Sequence, residues 1–363
     1  MNFHSTFLSI LLSCVVIAQA ADDLPFTQVP AEFAGRFWPG KSPLVFNDGS
    51  AVKSSADWPK CRAEILADWQ RIMGAWPAVI EKPKIEVLAT TPREEGITQR
   101  KIRIEIAPGQ TCDGYLLLPA AKTPRPAVFV PYYDPETSAG LSAKPLRDFA
   151  WQLARRGFVT LCIGSPGGDA RLPVLSAGAQ CQPLSYLGYI SANMWQALAS
   201  LPEVDAKRIG IVGHSYGGKW SLFGSCLWEK YACAAWSDPG IVFDETRGSI
   251  NYQEPWYLGL DPAITRKPGL VSADNPRTGA YKALIEQGHD LQELHTLMAP
   301  RPFLVSGGAE DPPKRWLALN HAIAVNQLLG HTGRVAMTNR EKHDPNEESN
   351  EQIYRFFEFW LKP

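Results

Sequence analysis

A serine is a poor nucleophile at its ordinary pKa. It becomes a good one when a base lies within hydrogen-bond reach and an acid orients that base. One serine of this chain has the surroundings for such activation, because Gly213-His214-Ser215-Tyr216-Gly217 fits the pattern G-x-S-x-G. Ile209, Ile211 and Val212 before it form an apolar strand core, and the residues after it read as a helix. A sharp strand-to-helix turn would hold Ser215 in a strained backbone conformation with its hydroxyl outward. Glycine is needed at 213 and 217, where strand and helix come too close for side chains. The helix start also aims backbone N–H groups at negative charge developing beside Ser215. Three fixed positions in a Gly-rich chain also recur by chance, so the partners must decide.

Six histidines follow residue 20. His214 lies inside the motif and should point away from Ser215. His289, His295, His321 and His331 fall in or beside predicted helices. Only His343 follows the last predicted strand and precedes the last predicted helix, which makes it the expected base. Two acids compete for the third role. Asp311 follows a predicted strand at 302–306 in Gly308-Ala-Glu-Asp-Pro, and Asp238 follows one at 232–236 in Ser237-Asp-Pro-Gly. Topology favours Asp311, with Asp238 as the alternative or as a second acid. The oxyanion formed during attack would be held by the N–H of Tyr216 and a second N–H after the strand at 127–132, that of Tyr133.

The elements that must position these groups follow a simple rhythm. Strands are expected at 85–90, 98–106, 114–118 and 127–132, separated by Pro, Gly and Thr. Lys101-Ile-Arg-Ile-Glu-Ile106 alternates as a half-exposed strand should, and Ala127-Val-Phe-Val130 is continuously apolar as a central strand should be. Helices at 145–156, 186–201, 218–230, 314–329 and 350–361 then alternate with strands at 158–163, 232–236, 302–306 and 334–338. Strands alternating with helices argue for a mostly parallel sheet covered on both faces. An antiparallel start followed by strand–helix units matches the α/β-hydrolase order, in which the nucleophile precedes the acid and the acid precedes the base. Before this domain, residues 21–84 read as an irregular arm with one amphipathic helix at 60–76, ended by Pro77. Residues 239–298 break the rhythm and read as a lid or specificity insertion within the domain at 85–363.

Composition narrows the function. The 363 residues are 45% hydrophobic and 20% charged, which suits a large packed core. A net charge of −1 provides no basic field for nucleic acid or anionic lipid. Residues 1–20 resemble an export signal, with an apolar run from Phe7 to Ala18 and a small-residue cleavage pattern at Ala18-Gln19-Ala20. Leu11-Leu12-Ser13-Cys14 approximates a lipoprotein box, but the apolar run continues past it. The protein is therefore expected to be secreted or periplasmic, with no membrane span after the signal. The six remaining cysteines allow up to three bridges or buried free thiols. There is no C-x-x-C, no H-E-x-x-H and no Rossmann glycine pattern, so neither metal nor cofactor is expected. Gly213 to Lys219 also spells G-x-x-x-x-G-K, but Trp220 occupies the position where a phosphate loop needs Ser or Thr.

Within the α/β-hydrolases the chain resembles the secreted carbohydrate esterases, among them acetyl xylan esterases and, more closely, glucuronoyl esterases. Pro43-Leu-Val-Phe-Asn-Asp-Gly49 with Trp58, Arg62, Glu64 and Gly74 is similar to their N-terminal arm. Lys219, four residues after the serine, matches the lysine of their G-x-S-R-x-G-K motif, which implies a uronate contact. Asp238 falls where that family places its acid. Asn251-Tyr-Gln-Glu-Pro-Trp256 is similar to their aromatic substrate loop, which implies substrate contact by Trp256. The chain departs from the family at Tyr216, where an arginine that helps to hold the oxyanion is usual. The resemblance implies a cofactor-free serine esterase acting on a carbohydrate ester. Prolyl-oligopeptidase-like or dienelactone-hydrolase-like hydrolases are the alternatives, and a non-catalytic binding protein of the same fold is another. A gated peptidase would need more than the short arm supplies, and an intact Ser, acid and His in order argue against a dead fold.

Overall fold

The computed structural model describes residues 24–362. The expected signal at 1–20 lies outside the described residues. The strands are β1 (Ile85–Pro92), β2 (Thr98–Ala107), β3 (Gln110–Leu118), β4 (Arg125–Pro131), β5 (Val159–Ile163), β6 (Val204–His214), β7 (Cys233–Ser237), β8 (Phe303–Gly307) and β9 (Val335–Asn339). They form one sheet in the order β1-β2-β3-β5-β4-β6-β7-β8-β9. β1, β2, β3 and β5 pair antiparallel, and every pairing from β5 through β4 to β9 is parallel. β3 begins four residues earlier than the β-rich run suggests. Gly109, at φ +73°, permits a tight hairpin that pairs Ala107 with Gln110.

Alternation along the strands divides the core into two layers. Ala127, Phe129, Ile209, Ile211, Trp236 and Val305 face one way, while Val128, Val130, Val212, Ala235 and Leu304 face the other. The first layer packs against α1 (Trp58–Met73), α4 (Pro183–Ala199), α5 (Tyr216–Leu227) and α8 (Trp316–Leu328). The second packs against α3 (Phe149–Arg155) and α9 (Glu347–Leu361), and the single turn α2 (Pro135–Ser138) lies between β4 and α3. Every residue of α5 is buried, as expected of a helix lying between sheet and neighbouring helices. Gly210 lets the ring of Phe357 onto the strand, since a Cβ there would sit 2.6 Å from it.

The arm folds onto this domain. Trp58, Cys61, Ile65, Trp69 and Met73 form the buried stripe of α1. Gly74, at φ +91°, ends that helix, and a Cβ there would meet the Gln180 carbonyl at 2.1 Å. The arm residues singled out by resemblance do packing work. Glu64 accepts the Asn47 N–H at 2.9 Å, and Arg62 donates to the Leu297 carbonyl at 3.2 Å. Residues 239–298 carry two short helices, α6 (Gly279–Glu286) and α7 (Leu291–Thr296), hidden in sequence among Gly and Pro. Ile241, Val242, Ile250, Tyr252, Leu258, Tyr281 and Leu284 from this stretch belong to the first core layer. Among the described residues the cysteines are free thiols, and no helix is long and apolar enough to cross a membrane.

Candidate active site

Ser215 sits between the end of β6 and the start of α5 with φ +57° and ψ −115°, a conformation that costs roughly 1–3 kcal/mol for a residue with a side chain. The surrounding backbone enforces it. A Cβ on Gly213 would lie 2.2 Å from the Gly217 carbonyl oxygen, and one on Gly217 would lie 2.3 Å from that of Pro131. The Ser215 N–H donates to the Ser237 carbonyl at 2.8 Å, and the Ser215 carbonyl accepts from the Lys219 N–H at 2.9 Å. The side chain is thus left to project.

His343 lies on the loop between β9 and α9. Its Nε2 is 2.9 Å from Ser215 Oγ, and its Nδ1 is 2.7 Å from Asp238 Oδ2. Asp238 directly follows β7, at φ +51°, and is fully buried. Its carboxylate also accepts the N–H groups of Gly308 (2.6 Å), Asp311 (2.9 Å) and Glu310 (3.2 Å). Four donors therefore fix the carboxylate that orients His343.

The order expected for the two acids is reversed in this geometry, because no hydrogen bond joins Asp311 to His343. The loop after β8 turns back over the end of β7, and the Asp311 carboxylate accepts the N–H groups of Gly240 (2.8 Å) and Ile241 (2.7 Å). Arg315 Nε lies 3.8 Å away. Burial, then the neighbouring Asp238, raises the Asp311 carboxyl to about 6. The two carboxylates lace two loops reciprocally: Asp238 holds the N–H groups of 308–311, and Asp311 holds those of 240–241.

Tyr216 is the first residue of α5, where N–H groups have no partner inside the helix. Tyr133 follows β4, and its ring centroid lies 5.0 Å from that of Tyr216. The close approach of Gly217 to Pro131 brings this turn and the helix start side by side. An oxyanion held by both N–H groups fits that juxtaposition.

The two expected substrate contacts lie differently. Lys219 is only 4% exposed. Its ammonium donates to the Pro239 carbonyl and sits 4.7 Å from the Tyr252 ring centroid and 5.7 Å from that of Tyr257. Burial lowers its pKa to about 8. It therefore braces the turn that carries Asp238 and does not reach out to solvent. Trp256 is half-buried and packs 6.3 Å from Tyr257, whose ring lies 6.3 Å from that of Tyr216.

Three neighbours were given no part in the site by sequence, although His214 was noted within the motif. His214 places its ring 4.7 Å from that of His343 and Nδ1 3.1 Å from Ser237 Oγ, and burial holds its pKa well below the ordinary histidine value. Arg340 ties the loop of His343 to the ends of β7 and β8. Arg147 pairs with Asp344 beside the same loop. A lone arginine between a strand and a predicted base carries no pattern by which sequence would reveal it. Among the described residues no cluster of His, Cys, Asp or Glu is arranged to hold a metal ion.

These elements define an α/β-hydrolase fold that carries a Ser–His–Asp hydrogen-bond relay. No protein-family model matches the chain, and no curated protein matches it. Solved structures do. A glucuronoyl esterase from Solibacter usitatus superposes with a TM-score of 0.67 at 20% identity, covering 91% of this chain and 98% of its own. A glucuronoyl esterase of carbohydrate esterase family 15 from Teredinibacter turnerae gives 0.64 at 19% identity, covering 87% and 88%. A promiscuous esterase of the same family from a marine bacterial metagenome gives 0.64 at 17% identity, covering 94% and 99%. At these identities the likeness is one of fold, and the fold is that of the α/β-hydrolase carbohydrate esterases.

Proposed function

We propose that this chain is a serine carboxylic-ester hydrolase that removes glucuronoyl or acetyl ester groups from polysaccharides or their fragments. Ser215 Oγ attacks the ester carbonyl carbon as His343 Nε2 takes its proton. Asp238 holds the imidazole through Nδ1 and stabilises the imidazolium that forms. The N–H groups of Tyr216 and Tyr133 hold the tetrahedral oxyanion. Collapse expels the alcohol, which receives the proton from His343, and leaves an acyl group on Ser215. A water activated by His343 then releases the acid.

The observation that carries the proposal is the unbroken relay from Ser215 through His343 to Asp238, at 2.9 and 2.7 Å, on a strained strand-to-helix turn. The fold shared with carbohydrate esterases supports the substrate class. We further propose that the protein acts outside the cytoplasm, exported by residues 1–20. The test is a hydrolysis panel of acetylated xylan, a glucuronate ester, a feruloyl ester and a peptide ester. Ser215→Ala serves as the blank and is expected to lose about 10⁶-fold in kcat. Preference for the peptide ester would contradict the substrate class, and turnover surviving in Ser215→Ala would contradict the mechanism.

A further inference from the structure

The loop that carries His343 has little of its own to hold it. Among the described residues, no backbone–backbone hydrogen bond involves residues 341–345. Such a loop should wander, yet a general base must stay within hydrogen-bond reach of its serine to work. Besides the relay itself, one side chain holds the loop's backbone. Arg340 Nη2 donates to the His343 carbonyl at 2.6 Å, and Nε donates to the Asp344 carbonyl at 2.9 Å.

The other edge of the same guanidinium reaches the sheet. Nη1 donates to the Ser306 carbonyl (2.9 Å), Ser306 Oγ (3.1 Å) and the Gly307 carbonyl (3.3 Å). Nη2 also lies 3.3 Å from Ser237 Oγ, and Ser237 Oγ contacts His214 Nδ1. The Arg340 N–H itself donates to the Gly307 carbonyl at 3.0 Å. Ser237 adjoins Asp238, and Gly307 adjoins Gly308, whose N–H the Asp238 carboxylate accepts. One planar cation therefore spans the ends of β7 and β8 and the backbone of the base itself. A lysine, with a compact ammonium at the end of a flexible stem, cannot donate in all these directions at once.

We propose that Arg340 is a positioning residue for His343, acting through the loop backbone and touching no reacting atom. The proposal rests on the reading of Ser215, His343 and Asp238 as the reacting relay. Its consequence is specific: losing the guanidinium lets His343 drift from Ser215 while the acyl and sugar contacts stay where they are.

The experiment compares wild type, Arg340→Ala and Arg340→Lys on an aryl acetate, and measures the rate at which a fluorophosphonate labels Ser215. Thermal midpoints are measured in parallel. Arg340→Ala is expected to lose about 10²-fold in kcat with KM nearly unchanged, and to be labelled more slowly by a similar factor. Added guanidinium ion should restore part of both rates. Arg340→Lys should fold and fall between the two, which keeps the test open if Arg340→Ala proves unstable. The downfield N–H proton resonance expected of His343 Nδ1, 2.7 Å from Asp238 Oδ2 in wild type, should broaden in both variants. Wild-type kcat and labelling in a folded variant, or losses that guanidinium ion does not rescue and that follow the thermal midpoint alone, would overturn the role of Arg340. Failure of wild type to label at Ser215 would instead overturn the reading of the site.

Discussion

The two halves of the site are held in place by different means. Ser215 stands on backbone: a strand, a helix and two glycines packed so closely that no Cβ fits between them. His343 stands on side chains: Asp238 through its ring, Arg340 through its carbonyl, and the box at the start of α9, where Asn346 and Ser349 cap each other. Backbone packing leaves a short local pattern that sequence exposes. Side-chain scaffolding ties His343 to Asp238, 105 residues away, and to a nearby arginine that no spacing pattern marks, so it leaves almost none. The two arrangements should also fail differently, the first abruptly and the second by degrees.

The largest effect on stability should come from Gly217→Ala. The added methyl meets the Pro131 carbonyl, a backbone atom with nowhere to move. A loss above about 3 kcal/mol in denaturant unfolding is expected. Unchanged stability would mean that the elbow is looser than its packing implies.

Lys219 links the two halves, since it starts on α5 and ends on the turn of Asp238. With its folded pKa lowered to about 8 by burial, the unfolded chain holds a proton that the folded one lacks between pH 8 and 10.5. Stability contributed by this group therefore rises with pH through that window, by about 3 kcal/mol in total. Lys219→Met should lack the rise. Comparing the two proteins removes the opposite contribution of buried tyrosines and cysteines. Parallel stability–pH curves would contradict the buried placement.

The smallest effect should come from the side-chain half. Asn346→Ala removes one member of the capping box and should cost about 1 kcal/mol. Hydrogen exchange at the first turn of α9 would detect it, while the exchange of α5 should stay unchanged.

The same contrast explains what could be read in advance. G-x-S-x-G between an apolar strand and a helix was legible because periodicity and glycine spacing are local. His343 was legible from chain order alone. The preference for Asp311 over Asp238 was not resolvable, because it depends on which way the 308–311 loop turns. That turn is fixed by hydrogen bonds between residues about seventy apart in sequence. The inward course of Lys219 was hidden for the same reason, since Tyr252 and Tyr257 arrive from the 239–298 segment. Helices α6 and α7 were obscured by their Gly and Pro surroundings, although their apolar residues join the main core.

The most direct test of the account is the kcat of Asp238→Asn against that of Asp311→Asn on one aryl acetate, with both proteins shown to be folded. Asp238→Asn should fall by about 10⁴-fold, because it removes the carboxylate that orients and balances His343. Asp311→Asn can still accept one backbone N–H and should fall by roughly tenfold or less, as expected for a group that acts on loop geometry. A larger loss in Asp311→Asn than in Asp238→Asn would contradict the relay described here.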